Sequence, residues 1–362
     1  MNAPEIFEAI HRDLADQVSL RAMPAPDPVA LTPWIAMSAL HKAIRRGRNE
    51  VALSAAATLL RDAPDKLWRR LGGAVFEDIG LGNLSVLPLV TAAMAGKRLR
   101  HSLGGEWAVA SYLVQQLCVS TKCRAADDLL MVVETHPVYA EERTELAELA
   151  IPDLLDIVVG NGPVQTRALA MWYALGTDRR PSSHLAYRRG NPDAVFNTLF
   201  EAGWPNSLVE VCRVGFQRTA EVLAPFVLLL ARDLVGQVTT TLPDELPSEE
   251  SINGVPGWAY DQYSREGKAA LRVFLQGRSE TARWIRTGVA DADQLRFLGN
   301  LVFRVEGGAV DRRLRWEIGD QLKSQAELGG NGGGCIDASE PLQLLRADFT
   351  SFQQVRSDVC GR

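Results

Sequence analysis

Apolar residues recur every three to four positions along most of the chain, the spacing of amphipathic helices and not of strands. The pattern predicts helices over about 33–46, 49–61, 65–79, 84–95, 105–118, 123–135 and 139–149, separated by short breaks containing Gly, Pro, Asp or Asn. Thr32 followed by Pro33 supplies an N-cap and a proline at the first helical position. Before it, residues 1–20 read as a short amphipathic helix and Ala22–Pro28 as a proline-rich connector. A second helical block over about 151–235 contains a long apolar helix, Leu208–Leu234, and a polar, turn-rich insert, Gly176–Asp193. Gly236–Gly257, rich in Thr, Pro, Ser and acid, predicts a long loop with a short strand at Val238–Thr241. Helices resume over about 258–276, 279–287, 291–303 and 310–327.

Gly329–Gly334 then reads as a flexible tether to an amphipathic tail, which either docks on a partner or folds back over a groove. No fixed-period repeat is visible. The expected fold is therefore all-α: a helical bundle or superhelical stack of short antiparallel helices, with a flexible C-terminal tail. Four segments are expected: an N-terminal extension 1–30, a helical module 31–150, a second helical region 151–328, and the linker and tail 329–362.

Composition adds an ordinary globular balance, with 46% hydrophobic and 23% charged residues among 362. The formal net charge of −5 excludes a protein basic all over, but the charge is unevenly spread. Between His41 and His101 there are 11 Lys/Arg against 5 Asp/Glu, a local +6 in an acidic chain. Five scattered cysteines with no CxxC pair point to reduced thiols, neither a disulfide framework nor a zinc site. The N-terminus has charges inside any apolar run, and no uncharged apolar run reaches spanning length, so a cytoplasmic protein without membrane contact is expected.

Two runs carry a resemblance. Ser38-Ala39-Leu40-His41-Lys42-Ala43-Ile44-Arg45 is followed by Arg69-Arg70-Leu71 and Glu77-Asp78-Ile79-Gly80-Leu81, with a looser match over Ser120–Leu130. In this order and at this distance they resemble the region behind the ATPase and lid domains in the replication-associated recombination ATPases. The likeness covers about 34–135. It implies an α-helical oligomerisation module, a tetramer, and a setting of stalled replication forks and DNA repair. Here only about 30 residues precede the module, and no GxxxxGK[ST] is present, so ATP hydrolysis is not implied.

Read from the residues, Lys42, Arg45 and Arg46 gather opposite an apolar arc of the first module helix. With Arg48, Arg69, Arg70, Lys97, Arg98 and Arg100 they form a candidate face for DNA or an ATPase partner. Ser38, His41, Glu77, Asp78 and Gly80 form the structural part of the motif. Negative charge at Glu77 and Asp78 opposes the dipole at the end of a helix, so a nearby cation is expected; Arg45 or Arg46 is the proposed partner. No metal site, cofactor or catalytic residue is expected: GxSxG, HExxH, DxDxDG and GxGxxG are all missing.

In Gly257–Gln276, Tyr260, Asp261, Tyr263, Arg265 and Lys268 suggest either a ligand pocket or a helix with inward aromatics and Asp261–Arg265 pairing; the helix is the preferred reading. The expected function is a non-enzymatic, self-associating helical protein of DNA replication, recombination or repair, nucleoid-associated if it binds DNA. The alternative is a protein-binding adaptor or regulator, encoded by a mobile element, that leaves DNA alone. An enzymatic pocket within 176–276 stands third.

Overall fold

A computed structural model describes residues 3–329 and 337–361. It is all-α, with 19 α-helices among the described residues and only short two-stranded pairings beside them. Thr32 caps the Pro33–Arg45 helix, its side chain accepting from the Ile35 amide, and Pro33 occupies the first turn as expected. This helix packs on Asn49–Asp62, which packs in turn on Glu106–Val119. Ala36, Ala39 and Ala43 face Ala52, Ala55 and Ala56 in the same core, and all six are buried. Small side chains on both partners let the backbones approach closely.

One continuous core runs from Leu14 to Cys360 and includes helices on both sides of residue 150, so the expected segment boundary there is not a break in packing. A smaller core joins residues 271–305 to the Ser339–Cys360 helix, centred on Phe274 edge-on to Phe352 at 5.4 Å. The tail therefore folds back on its own chain. Ala338 donates its amide to Leu328 O, so the chain leaves and rejoins at one place. The expected glycine tether lies outside the described residues from 330 onward.

The structure corrects three element readings. Leu208–Leu234 is two helices, Asn206–Thr219 and Leu223–Leu234, because Ala220 takes a left-handed conformation at φ 59° and closes the first. Helix 258–276 starts only at Arg265, behind an N-cap by Ser264. Helix 310–327 starts at Glu317, because Arg313–Arg315 forms a strand antiparallel to Thr240–Leu242. That second strand lies in the expected loop, close to its expected place. No described helix is long and apolar enough to cross a membrane.

Ala220 carries a Cβ where glycine is the usual residue. Ala220→Gly is expected to raise unfolding free energy by about 1 kcal/mol. A urea midpoint that stays put or falls would show that the left-handed turn costs this chain nothing.

Candidate functional site

Ser38, His41, Lys42 and Arg45 stand at i, i+3, i+4 and i+7 on the Pro33–Arg45 helix, one stripe down its side. The stripe is not a solvated face. Arg45 is 3% exposed. It donates from Nε to Asp78 Oδ1 at 2.8 Å, from Nη2 to Glu77 Oε1 at 2.5 Å and from Nη1 to the Gly307 carbonyl at 2.8 Å. The expected tie between this helix and Glu77–Asp78 is therefore present, with Arg45 as its cation. Arg46 goes elsewhere, donating to the Glu306 carbonyl at 2.6 Å and lying over Trp258.

Local backbone explains why two adjacent carboxylates reach one guanidinium. Val75–Ile79 forms a π turn at the end of the Pro64–Ala74 helix, and a second π turn, Phe303–Gly307, supplies the Glu306 and Gly307 carbonyls. Such turns widen a helix locally and recur at functional sites. Gly80 ends the first at φ 44°, where a Cβ would sit 3.1 Å from the Cys123 carbonyl. A side chain there would meet both backbone strain and crowding.

Arg124 completes the network, and the sequence reading passed over it. It is 2% exposed and contacts Glu77, Asp78 and Asp127. The only signal for it was its place in the looser Ser120–Leu130 match. His41 Nε2 lies 2.6 Å from Asp78 Oδ2, while Nδ1 faces Arg70 Nη1 at 3.2 Å. Arg70 can only donate, which assigns the proton of the ring to Nε2. Burial lowers the pKa of His41, so the ring is neutral near pH 7. Burial alone would raise the Asp78 carboxyl, but Arg45, His41 and Arg124 hold it well below the usual carboxylate range. At Asp127 burial prevails over Arg124 and pushes the carboxyl up to about 6.

Lys42 lies on the same stripe and binds a different segment. Its Nζ donates to Asp261 Oδ2 at 2.6 Å, to Ser38 Oγ at 2.8 Å and to the Trp258 carbonyl at 2.8 Å. Ser38 Oγ also donates to Asp261. Asp261 is thus the partner of Lys42, not of Arg265, and residues 261–264 form a turn. The preferred helical reading of Gly257–Gln276 is overturned at its first half.

These groups line a cleft of about 610 Å³. Ser38, His41, Lys42, Arg45 and Glu77 form its inner, buried to half-buried wall, with Asp261 and Glu306 from the second half of the chain. Trp34, Lys66, Arg69, Arg70 and Tyr263 stand on its more exposed side. From the 176–276 region only Arg180, Thr219, Glu221, Leu223, Tyr260–Tyr263 and Leu271 take part. No cleft wholly within that region is formed by these residues; the pocket is shared between both halves.

The nine expected contact cations separate. Lys42, Arg45, Arg46 and Arg100 are buried, which corrects the exposed face drawn for them. Arg100 donates to Glu106 and to the Ala93 carbonyl and stacks on Trp68 at 4.0 Å. Arg48 is exposed and paired with Glu249 at 2.9 Å. Arg69, Lys97 and Arg98 are exposed, and Arg70 is half-buried. A helical wheel shows that cations share a side; it does not show whether water or carboxylates lie opposite.

One possible ligand set appears among the described residues. Ligand atoms of His41, Glu77 and Asp78 lie within 4.8 Å of one another. However, Arg45 and Arg124 already hold both carboxylates, and Arg124 holds Asp127 as well. A divalent cation there would have to displace an arginine into a buried site with nothing to receive it. The arrangement is a closed ionic lock.

Glu77 is the lock's most accessible carboxylate, 19% exposed. Glu77→Gln is expected to cost about 1–2 kcal/mol, because Arg45 and Arg124 keep Asp78. An unchanged melting temperature would remove Glu77 from the lock. No model of a known protein family, no curated protein and no solved structure matches the chain.

Proposed function

We propose that this chain is a non-enzymatic, self-associating helical protein of DNA replication, recombination or repair, which acts by binding DNA or an ATPase partner. The observation that supports it is the meeting of the two motif runs. Arg45 and His41 of the first run meet Glu77 and Asp78 of the second in one buried network. The contact surface is reduced to the exposed cations without an ion pair among the described residues, Arg69, Lys97 and Arg98, together with half-buried Arg70.

Light-scattering mass of the full chain, alone and with a fork-shaped DNA at two salt concentrations, tests this. Mass near four chains, and DNA binding that weakens as salt rises, are expected. Lys97→Glu with Arg98→Glu should reduce DNA affinity about 10-fold or more at low salt. A monomer that ignores both DNA and any module-bearing ATPase would end the proposal.

A second reading, an adaptor that binds only protein, is favoured by one finding: four of the nine cations are spent inside the fold. It predicts self-association with no salt-dependent DNA affinity.

A further inference from the structure

We propose that the cleft is a nucleotide site, taking a phosphate ester carried on an aromatic base, either free or at the end of a strand. The proposal rests on the cleft alone and holds whether or not the protein binds duplex or forked DNA.

The first observation is an imbalance of charge confined to one helix. Lys66, Arg69 and Arg70 stand at i, i+3 and i+4 on the Pro64–Ala74 helix, and all three line the cleft. None of them forms an ion pair among the described residues. Lys66 Nζ lies 4.8 Å from the centre of the Trp34 ring, and Arg70 gives one hydrogen bond to the neutral His41. Elsewhere the lining carboxylates are taken: Glu77 by Arg45, Asp261 by Lys42, Glu306 by Arg356 and Glu221 by Arg180. Asp127 is held by Arg124, which leaves Glu134 as the one lining carboxylate without an ion pair among the described residues. Three like charges on one helix face repel each other, and a guanidinium presents five donors. An anion in the cleft would relieve the repulsion and take up donors that the protein leaves open.

A second observation decides what the anion is attached to. Two aromatic side chains at this cleft are strongly exposed, Trp34 at 58% and Tyr263 at 69%. Most large rings of the chain lie in the cores, as Trp172, Phe216 and Phe226 do. Exposed rings beside unpaired cations are the combination that holds a base by its face and a phosphate by its charge. A volume of about 610 Å³ falls in the range of small-ligand sites. The neutral His41 behind Arg70 keeps that guanidinium oriented without neutralising it. In this arrangement Arg69 and Arg70 hold the phosphate, and Trp34 and Tyr263 flank the base.

The test is equilibrium titration of the full chain at low salt with adenosine monophosphate, adenosine and inorganic phosphate. Adenosine monophosphate is expected to bind about 10-fold more tightly than either fragment. Arg69→Gln and Arg70→Gln should each weaken it about 10-fold. Arg69 is exposed, so its variant remains informative even if Arg70→Gln misfolds. Trp34→Ala should weaken adenosine monophosphate about 10-fold while leaving inorganic phosphate unchanged. A 5′-phosphorylated oligothymidylate separates the sources: displacement of the mononucleotide assigns a strand end, and failure to displace it assigns a free nucleotide. No binding of the monophosphate at millimolar concentration, or equal binding by wild type and both arginine variants, overturns the proposal. The fork-DNA measurement with Lys97 and Arg98 fails or succeeds separately.

Discussion

Asp78→Ala is expected to destabilise the fold by about 3–5 kcal/mol, a large fraction of the stability of an ordinary domain. Asp78 has no exposed surface. Its carboxylate receives Arg45 on one side, Arg124 on another and lies against the His41 ring. Without it, two guanidiniums at 3% and 2% exposure share Glu77 and Asp127, and the ring loses the acceptor of its proton. Asp78→Asn should fare little better, since the amide returns an acceptor but no charge. Denaturant unfolding of both variants decides the matter; a loss below about 1 kcal/mol would show that Glu77 carries the lock by itself.

The same group has a signature in acid. Asp78, Glu77, Asp261 and Glu306 all have pKa values lowered in the folded state. Their contribution is complete above the ordinary carboxylate range and is lost as pH falls through and below about 4. Asp127 has the opposite sign. Its raised value of about 6 means that the fold gains from its protonation, and that gain is lost as pH rises towards 6.

Arg356→Ala is the second large effect, again about 3–5 kcal/mol. Arg356 is 1% exposed and grips Glu306 with two nitrogens at 2.7 and 2.8 Å while Nε bonds Glu250 at 2.7 Å. Truncation leaves Glu306 buried with its charge uncompensated. Replacing both members by apolar residues, Arg356→Met with Glu306→Leu, should regain at least half of the loss, since the cost lies in the orphaned charge more than in the missing bond. If the single variant melts like wild type, the Ser339–Cys360 helix is held by Phe349, Phe352 and their apolar neighbours alone.

Helices were legible wherever an apolar stripe and a local stop signal coincided, as at Thr32–Pro33. They were misread where the stop left no local mark. Nothing in the apolar run through Leu208–Leu234 announces that Ala220 will turn left-handed. Arg45 with Glu77–Asp78 was legible because two acids at a helix end are an electrostatic anomaly that needs a cation. Lys42 with Asp261 and Arg46 with Glu306 were not, because partners more than 200 residues apart leave no trace in either local pattern. This also explains the misread basic face: the groups that receive it are the acids at 77–78, 249 and 261 and the carbonyl of residue 306, outside any window containing residues 38–48. Tyr263 and Asp261 were noticed as a cluster, but their meeting with the motif helix was a tertiary fact.

The pairing of Glu306 with Arg356 also sets an order of events during synthesis. The two residues are 50 positions apart, so at roughly 5–20 residues per second Glu306 is added to the chain several seconds before its partner exists. Until Arg356 arrives, an unpaired carboxylate keeps water at this edge of the core, where an apolar residue would offer a sticky surface to other nascent chains. An ion pair is a modest way to stabilise a finished protein, but each half is well solvated while it waits. The latch is soluble until the moment it closes.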